Sequence, residues 1–224
     1  MLDRKKKYLQ VALNNTLEDA RAIIDDLPVS DRILIEAGTP LIKRYGMHAV
    51  RQLLDWWQYR AYGESINPYI VADVKTMDRG ETEVVMAKEA GASAVIALGQ
   101  APIETINAFI ASCEKYQVDS MVDMMNVEQP IKILRLLKKL PAVVVLHRGV
   151  DEETYNRNKP IPYIQINKVR ASYNVRIAIA GGDTIREVQR AIFNDADIVV
   201  VWRQFYQATE DTATLAEQFL KEIK

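Results

Sequence analysis

One alternation runs through the whole sequence: short β-rich runs, each followed by a longer amphipathic, helix-like run. The β-rich runs are Leu9 to Leu13, Ile33 to Glu36, Tyr69 to Asp73, Ala94 to Leu98, Asp119 to Asp123, Ala142 to His147, Arg176 to Ala180 and Asp197 to Val201. Most are continuously apolar, the pattern of parallel strands covered on both faces. A parallel strand needs a crossover back to the starting end of the sheet, and a helix supplies it. Eight such units in 224 residues average about 28 residues each, close to a (β/α)8 barrel of roughly 250 residues. An open doubly wound sheet is the rival, and the even spacing favours closure. The expected architecture is an α/β fold, a single-domain (β/α)8 TIM barrel over residues 1–224, with no linker or low-complexity stretch dividing it.

The helical runs carry start and stop signals. Thr16 with Asp19, Thr105 after Pro102, and Thr184 with Glu187 read as capped N-termini. Ile185, Val188, Ala191 and Ile192 share one helix face, and Gly91 closes the helix of Val84, Val85, Met86 and Ala87. Two connections are longer than the rest. One, Gly46 to Tyr62, carries Trp56, Trp57, Tyr59 and Tyr62, a set suited to packing on the barrel or to a subunit contact. The other, Asp151 to Pro162, is polar, with Asn156, Asn158, Pro160 and Pro162, and reads as a surface loop or a mobile cover over the barrel mouth.

Charge and composition remove several classes of function. Lys and Arg number 29 against 30 Asp and Glu, so no excess charge points to nucleic acid or an anionic membrane. The apolar runs fall far short of the ~20 residues of a membrane helix. Lys5-Lys6-Lys7 looks like the start of a secretory leader, but the apolar stretch after it breaks at Asn14-Asn15, too soon for one. Cys113 is the single cysteine and has no partner for an intramolecular disulfide. The expectation is a cytoplasmic protein with no nucleic-acid or membrane partner.

Charges gather where the strands stop, and in a barrel the C-terminal strand ends carry the chemistry. The ends are Asn14, Glu36, Asp73 with Lys75 and Asp78 just beyond, Asp123, His147 followed by Arg148, Gly181-Gly182, and Trp202-Arg203. Glu36 and Asp73 would project from neighbouring strands, and two hard carboxylate oxygens suit Mg2+, which keeps several waters. Asp73, Lys75 and Asp78 run acid, base, acid, an arrangement that keeps the lysine charged and oriented. His147 follows an apolar strand, where an imidazole can act as general acid or base, whereas His48 reads as a surface residue. Gly181 and Gly182, ahead of the helix capped at Thr184, would offer backbone N–H groups to an anion, with Arg203 one strand further on. Charges at the mouth are expected to be exposed and to contribute little to the core.

The run Val71-Ala72-Asp73-Val74-Lys75-Thr76-Met77-Asp78 resembles the Asp-x-Lys-x-x-Asp signature of the orotidine 5′-monophosphate decarboxylase superfamily. Within it, the stretches from Ile35 to Lys43, Met121 to Asp123 and His147 to Asp151 are similar to the 3-hexulose-6-phosphate synthases. The orotidylate decarboxylases lack a metal-binding glutamate, so Glu36 argues against that branch. The related 3-keto-L-gulonate-6-phosphate decarboxylases have glutamate where this chain has Asp123 and arginine where it has Val150, and both differences point to the synthase side.

The resemblance implies a homodimer with shared active sites and Mg2+ held by Glu36 and Asp73 beside an enediolate. It implies Lys75, Asp78, His147 and Asp123 as catalytic residues, with Asp78 supplied to the neighbouring subunit, and Asn14, Gly181, Gly182 and Arg203 around a phosphosugar. The implied activity is that of a carbon–carbon lyase: aldol addition of formaldehyde to D-ribulose 5-phosphate, or the reverse. A phosphosugar decarboxylase and a diverged, non-catalytic ligand-binding barrel are the alternatives. Three positions depart from the family pattern. Asn14 stands where aspartate is usual and lacks a carboxylate to accept a proton. Trp202 stands where glycine would let phosphate reach the backbone. Asp183 puts an anion where an anion should bind, unless it caps the following helix. Together they point to a remodelled substrate site or to reduced activity.

Overall fold

The computed structural model describes residues 1–156, 158–207 and 211–223. Eight parallel strands close into a barrel in chain order: β1 (Tyr8–Leu13), β2 (Ile33–Ala37), β3 (Ile70–Thr76), β4 (Ala94–Leu98), β5 (Asp119–Asp123), β6 (Val143–His147), β7 (Arg176–Ala180) and β8 (Ile198–Val201). β8 pairs back onto β1, with Tyr8 opposite Ile198. Around them lie α1 (Leu17–Asp26), α2 (Thr39–Tyr45), α3 (Met47–Arg60), α4 (Gly80–Glu89), α5 (Ile103–Lys115), α6 (Pro130–Leu136), α7 (Val150–Tyr155), α8 (Tyr163–Ser172), α9 (Ile185–Phe193), α10 (Arg203–Gln207) and α11 (Thr212–Glu222). The expected (β/α)8 barrel is the observed fold.

The strands are apolar on both faces because both faces are covered. Leu9, Val11, Ile33 and Ile35 pack outward under the helices, while Leu34, Val71, Met121, Val143, Val145, Ala178 and Ile198 fill the interior. Leu2, Tyr8 and Tyr69 join the interior cluster, with the Tyr69 hydroxyl donating to Asp119 at 2.6 Å. Successive strand residues face opposite ways. Each interior residue therefore predicts the next inward position two residues on: Leu34 leads to Glu36, Val71 to Asp73, Met121 to Asp123 and Val145 to His147.

The caps at Thr16 and Thr184 form as expected, each hydroxyl accepting the backbone N–H three residues on. Thr105 does not cap a helix; α5 already begins at Ile103, after Pro102. β3 runs on to Thr76 rather than stopping at Asp73, and its pairing with β4 is irregular between Ala72 and Thr76. Lys75 there is left-handed, with φ of 49°, a conformation that costs a lysine about 1 kcal/mol.

The aromatic connection divides between its two readings. Trp57 is fully buried against the barrel, whereas Tyr59 and Tyr62 are 74% and 90% exposed. The polar segment from Asp151 opens as helix α7 rather than as a loop. Arg157 within it lies outside the described residues. No helix among the described residues is long and apolar enough to cross a membrane.

Candidate active site at the barrel mouth

A cavity of about 490 Å³ opens at the C-terminal ends of the strands, lined among others by Asn14, Glu36, Asp73, Lys75, Asp123, His147, Gly181 and Trp202. The alternation along each strand delivers these side chains to one place, although they come from seven different strand ends.

Asp123 is the hub. Its Oδ2 accepts from Lys75 Nζ at 3.0 Å and lies 2.8 Å from His147 Nδ1, and its Oδ1 accepts from the Met125 backbone N–H at 2.9 Å. Lys75 also lies 3.0 Å from Asp73 Oδ2, which accepts from the Thr39 hydroxyl at 2.9 Å. Burial on its own pulls the Lys75 ammonium down, but the Asp73 and Asp123 charges outweigh it and hold the lysine protonated, well above its ordinary range. Burial raises a carboxyl, yet His147 and Lys75 together hold Asp123 well below the usual carboxylate range. Burial likewise opposes the charged form of His147, and Asp123 overrides it, so the imidazole titrates above its ordinary 6.5. With Nδ1 tied to Asp123, Nε2 is the ring nitrogen left for a ligand.

Glu36 sits beside this network. Gln10 Nε2 donates to Glu36 Oε2, and the Gln10 carbonyl oxygen is buried with no partner among the described residues. Burial, and then the neighbouring Asp73 charge, push Glu36 up to about 7, against the Gln10 hydrogen bond. Glu36 and Asp73 are both buried, at 6% and 5% exposure, which corrects the expectation of exposed mouth charges. Both side chains point inward from their strands, into the interior from which the cavity opens. No group of three or more His, Cys, Asp or Glu among the described residues is placed to hold an ion. An ion here would rest on these two carboxylates and on water, a donor set that fits Mg2+.

Three sequence-predicted residues do not line the cavity. Asp78 is exposed on the β3–α4 connection. Gly182 packs against α9 and its neighbours: a Cβ there would lie 2.8 Å from Ile161 and 3.0 Å from the Glu187 Cβ. Arg203 stands behind Glu153, which does line the cavity, with Nη2 2.7 Å from Glu153 Oε2. Gly181 does line the cavity, with φ of 98°, and a Cβ there would meet the Arg148 carbonyl at 2.3 Å. Asn14 lines the cavity too, its backbone N–H donating to the Tyr206 hydroxyl at 2.7 Å.

Asp183 is not the helix cap. Thr184 caps α9, and Asp183 Oδ1 instead accepts the backbone N–H groups of Trp202 and Arg203, at 2.9 and 3.2 Å. Burial raises its carboxyl, and these two amides and Arg203 pull it back.

Sequence reasoning missed Gln10, Thr39 and Glu153. Gln10 left a signal, as the one polar residue inside the run Tyr8–Leu13. Thr39 and Glu153 left none, because their roles depend on strands distant in the chain.

Fold and site together define a (β/α)8-barrel enzyme with a buried acid–lysine–histidine network at its mouth. The profile of the family described as Orotidine 5'-phosphate decarboxylase / HUMPS matches residues 7–218, and the chain belongs to that family. It is 37% identical over 219 residues to the Bifunctional enzyme Fae/Hps of Methanothrix thermoacetophila, covering 97% of this chain and 53% of that protein. It is 38% identical over 218 residues to the protein of the same name from Methanoculleus marisnigri, covering 96% and 52%. The chain thus spans about half the length of the curated relatives it matches. Among solved structures, 3-hexulose-6-phosphate synthase from Salmonella typhimurium superposes with a TM-score of 0.83 at 27% identity, covering 96% of this chain and 98% of that one. The 3-keto-L-gulonate-6-phosphate decarboxylase from Vibrio cholerae, at 23% identity and a TM-score of 0.69 over 98% and 99% of the two chains, shares the fold.

Proposed function

We propose that the chain is a carbon–carbon lyase of the 3-hexulose-6-phosphate synthase type. It adds formaldehyde to carbon 1 of a 2-pentulose, for which the resemblance implies D-ribulose 5-phosphate, or runs the reverse cleavage. The observation that carries this reading is the single carboxylate, Asp123, joining Lys75 and His147 beside the buried pair Glu36 and Asp73. A lysine held between two buried carboxylates inside a cleft is an arrangement that active sites favour. The likeness to the Fae/Hps proteins and to the Salmonella synthase supports the same reading.

Each residue has a role in that reaction. Carbon 1 first loses a proton, and the C–H electron pair becomes the nucleophile; as carbon 1 bonds to the formaldehyde carbon, the aldehyde oxygen gains charge and takes a proton. His147, whose basicity Asp123 raises, takes the carbon 1 proton on Nε2 and then gives it to the aldehyde oxygen, and in the reverse direction runs the two transfers backwards. The Lys75 ammonium lies where charge develops and stabilises it without changing protonation state. Asp123 positions both groups. Glu36 and Asp73 would hold Mg2+, with Gln10 and Thr39 orienting their second oxygens. When bound, Mg2+ would supply positive charge that stabilises negative charge developing on the substrate.

The reading includes a homodimer with shared active sites. Asp78 is exposed and stands outside the cavity of its own chain, as a residue that serves a second copy must.

The test is an assay of formaldehyde consumption with D-ribulose 5-phosphate and with D-ribulose, each with Mg2+ and with EDTA. The expected result is ketose-dependent consumption that EDTA removes. Formaldehyde loss that ignores the ketose would sink the proposal.

A further inference from the structure

The end of the cavity toward β7 and β8 is walled by Ala180, Gly181, Val200 and Trp202, with Asn14 and Asn15 alongside. This is the region where a barrel would seat an anion, and the chain's own carboxylates already engage the donors there: Glu153, which lines the cavity, and Asp183, which lies behind its wall. The Trp202 and Arg203 amides both donate to Asp183 Oδ1. The Arg203 guanidinium is 2.7 Å from Glu153 Oε2 and 3.9 Å from Asp183 Oδ2. Arg148 Nη2 lies 3.2 Å from Glu153 Oε1 and donates to the Gly181 carbonyl at 2.6 Å. One glutamate on α7 therefore engages both arginines, and one buried aspartate engages both amides.

Charge points the same way. The cavity is lined by five carboxylates, those of Glu36, Asp73, Asp123, Asp151 and Glu153, against Lys75 and Arg148 as permanent cations. A phosphate dianion entering here would displace Glu153 from two arginines and Asp183 from two amides. It would leave both carboxylates without partners, Asp183 being only 8% exposed. An unpaired buried charge is among the costliest things a protein can hold. A chain of hydroxyls displaces nothing. It meets Asn14, Asn15, Asp151, Glu153 and Trp202 of the cavity wall, which offer amide groups, carboxylate acceptors and an indole.

We infer that Asp183 and Glu153 act as a built-in anion that determines specificity, so that this end of the cavity accepts an uncharged, polyhydroxylated substrate tail rather than a phosphate ester. This deepens the proposed function, and rests on it only for placing a sugar in the cavity.

Inorganic phosphate is the first probe, because its binding is read without turnover and stands whether or not the aldol reaction is found. Calorimetric titration of the whole wild-type chain is expected to show no saturable phosphate binding in the millimolar range. D-Ribulose is expected to bind at least as well as D-ribulose 5-phosphate. Asp183→Ala combined with Glu153→Gln frees the amides and the arginines, and should raise phosphate affinity at least about tenfold. Asp183→Asn keeps the shape and a hydrogen-bond acceptor while removing the charge; if the alanine variant does not fold, this one should still show a gain of about threefold. Saturable micromolar phosphate binding by the wild-type chain overturns the inference. So does a tenfold or greater preference for the 5-phosphate, or phosphate affinity unchanged in the folded variants.

Discussion

The two sides of the cavity are built by different means. On the β2, β3, β5 and β6 side, the working groups are strand side chains: Glu36, Asp73, Asp123 and His147 each lie two positions beyond an apolar interior residue. Barrel closure fixes where they point: Glu36, Asp123 and His147 are each bonded to a neighbour from another strand, and Asp73 to Lys75 on its own strand and to Thr39 on α2. On the β7 and β8 side, the working groups are backbone amides and residues of the loops and of α7, and two carboxylates decide what those amides and arginines are free to bind. A side built on strands changes its chemistry only when a strand residue changes. A side built on amides and loops changes its ligand with one or two substitutions, and leaves the barrel as it was.

The largest expected effects come from the strand-built side. Glu36→Gln or Asp73→Asn should lower Mg2+-dependent kcat/KM by about 1,000-fold, the scale of losing a metal's charge stabilisation. Because Glu36 is buried beside Asp73 and pushed up to about 7, its neutral replacement should keep or raise the melting temperature by calorimetry. Full activity of the wild-type chain in EDTA would remove the metal role.

Next is the hub. Asp123→Ala leaves Lys75 and His147, whose side chains are 21% and 19% exposed, without their shared counter-charge. A loss of about 3 kcal/mol by urea unfolding is expected. The milder Asp123→Asn should lower the His147 titration midpoint, read by NMR of the imidazole, because burial then acts unopposed. The sign follows from linkage. In the wild-type chain His147 titrates above its ordinary 6.5, so the pair's stabilisation is complete below about 6.5 and fades as pH rises through the higher folded value. In Asp123→Asn the dependence reverses, and stability falls as pH drops below about 6.5. An unmoved midpoint would mean that Asp123 is not what sets the histidine.

Mixing tests where one site ends and a second copy begins. Lys75→Ala and Asp78→Ala chains, each inactive alone, should recover about a quarter of wild-type activity after verified subunit exchange, since about half the dimers are hybrids and each hybrid has one of its two sites intact. No recovery would place the whole site within one chain.

The smallest effect separates the indole from the carboxylate on the amide-built side. Trp202→Gly alone should change phosphate affinity by less than about threefold, because Asp183 still holds both amides. A tenfold gain would shift the exclusion of anions from Asp183 to Trp202.

Local sequence determined a great deal here. Continuous apolar runs determined parallel strands covered on both faces, and eight even repeats determined closure. Thr16 and Thr184 determined two helix starts by bonding three residues ahead. Charges at strand ends marked Glu36, Asp73, Lys75, Asp123 and His147, because period two along a strand is a property of the backbone. Partners, by contrast, were decided by tertiary structure alone. Asp123 meets Lys75 across 48 positions and His147 across 24, and only the register of the closed barrel brings them within 3.0 Å. Asp183 shows the division most clearly. Beside Thr184 in sequence it reads as a helix cap, but Thr184 takes the cap. The end of β8, 19 residues further on, presents two backbone amides that a buried carboxylate satisfies. A hydrogen bond depends on distance and direction in space, and the sequence around Asp183 holds neither until β8 has paired with β7.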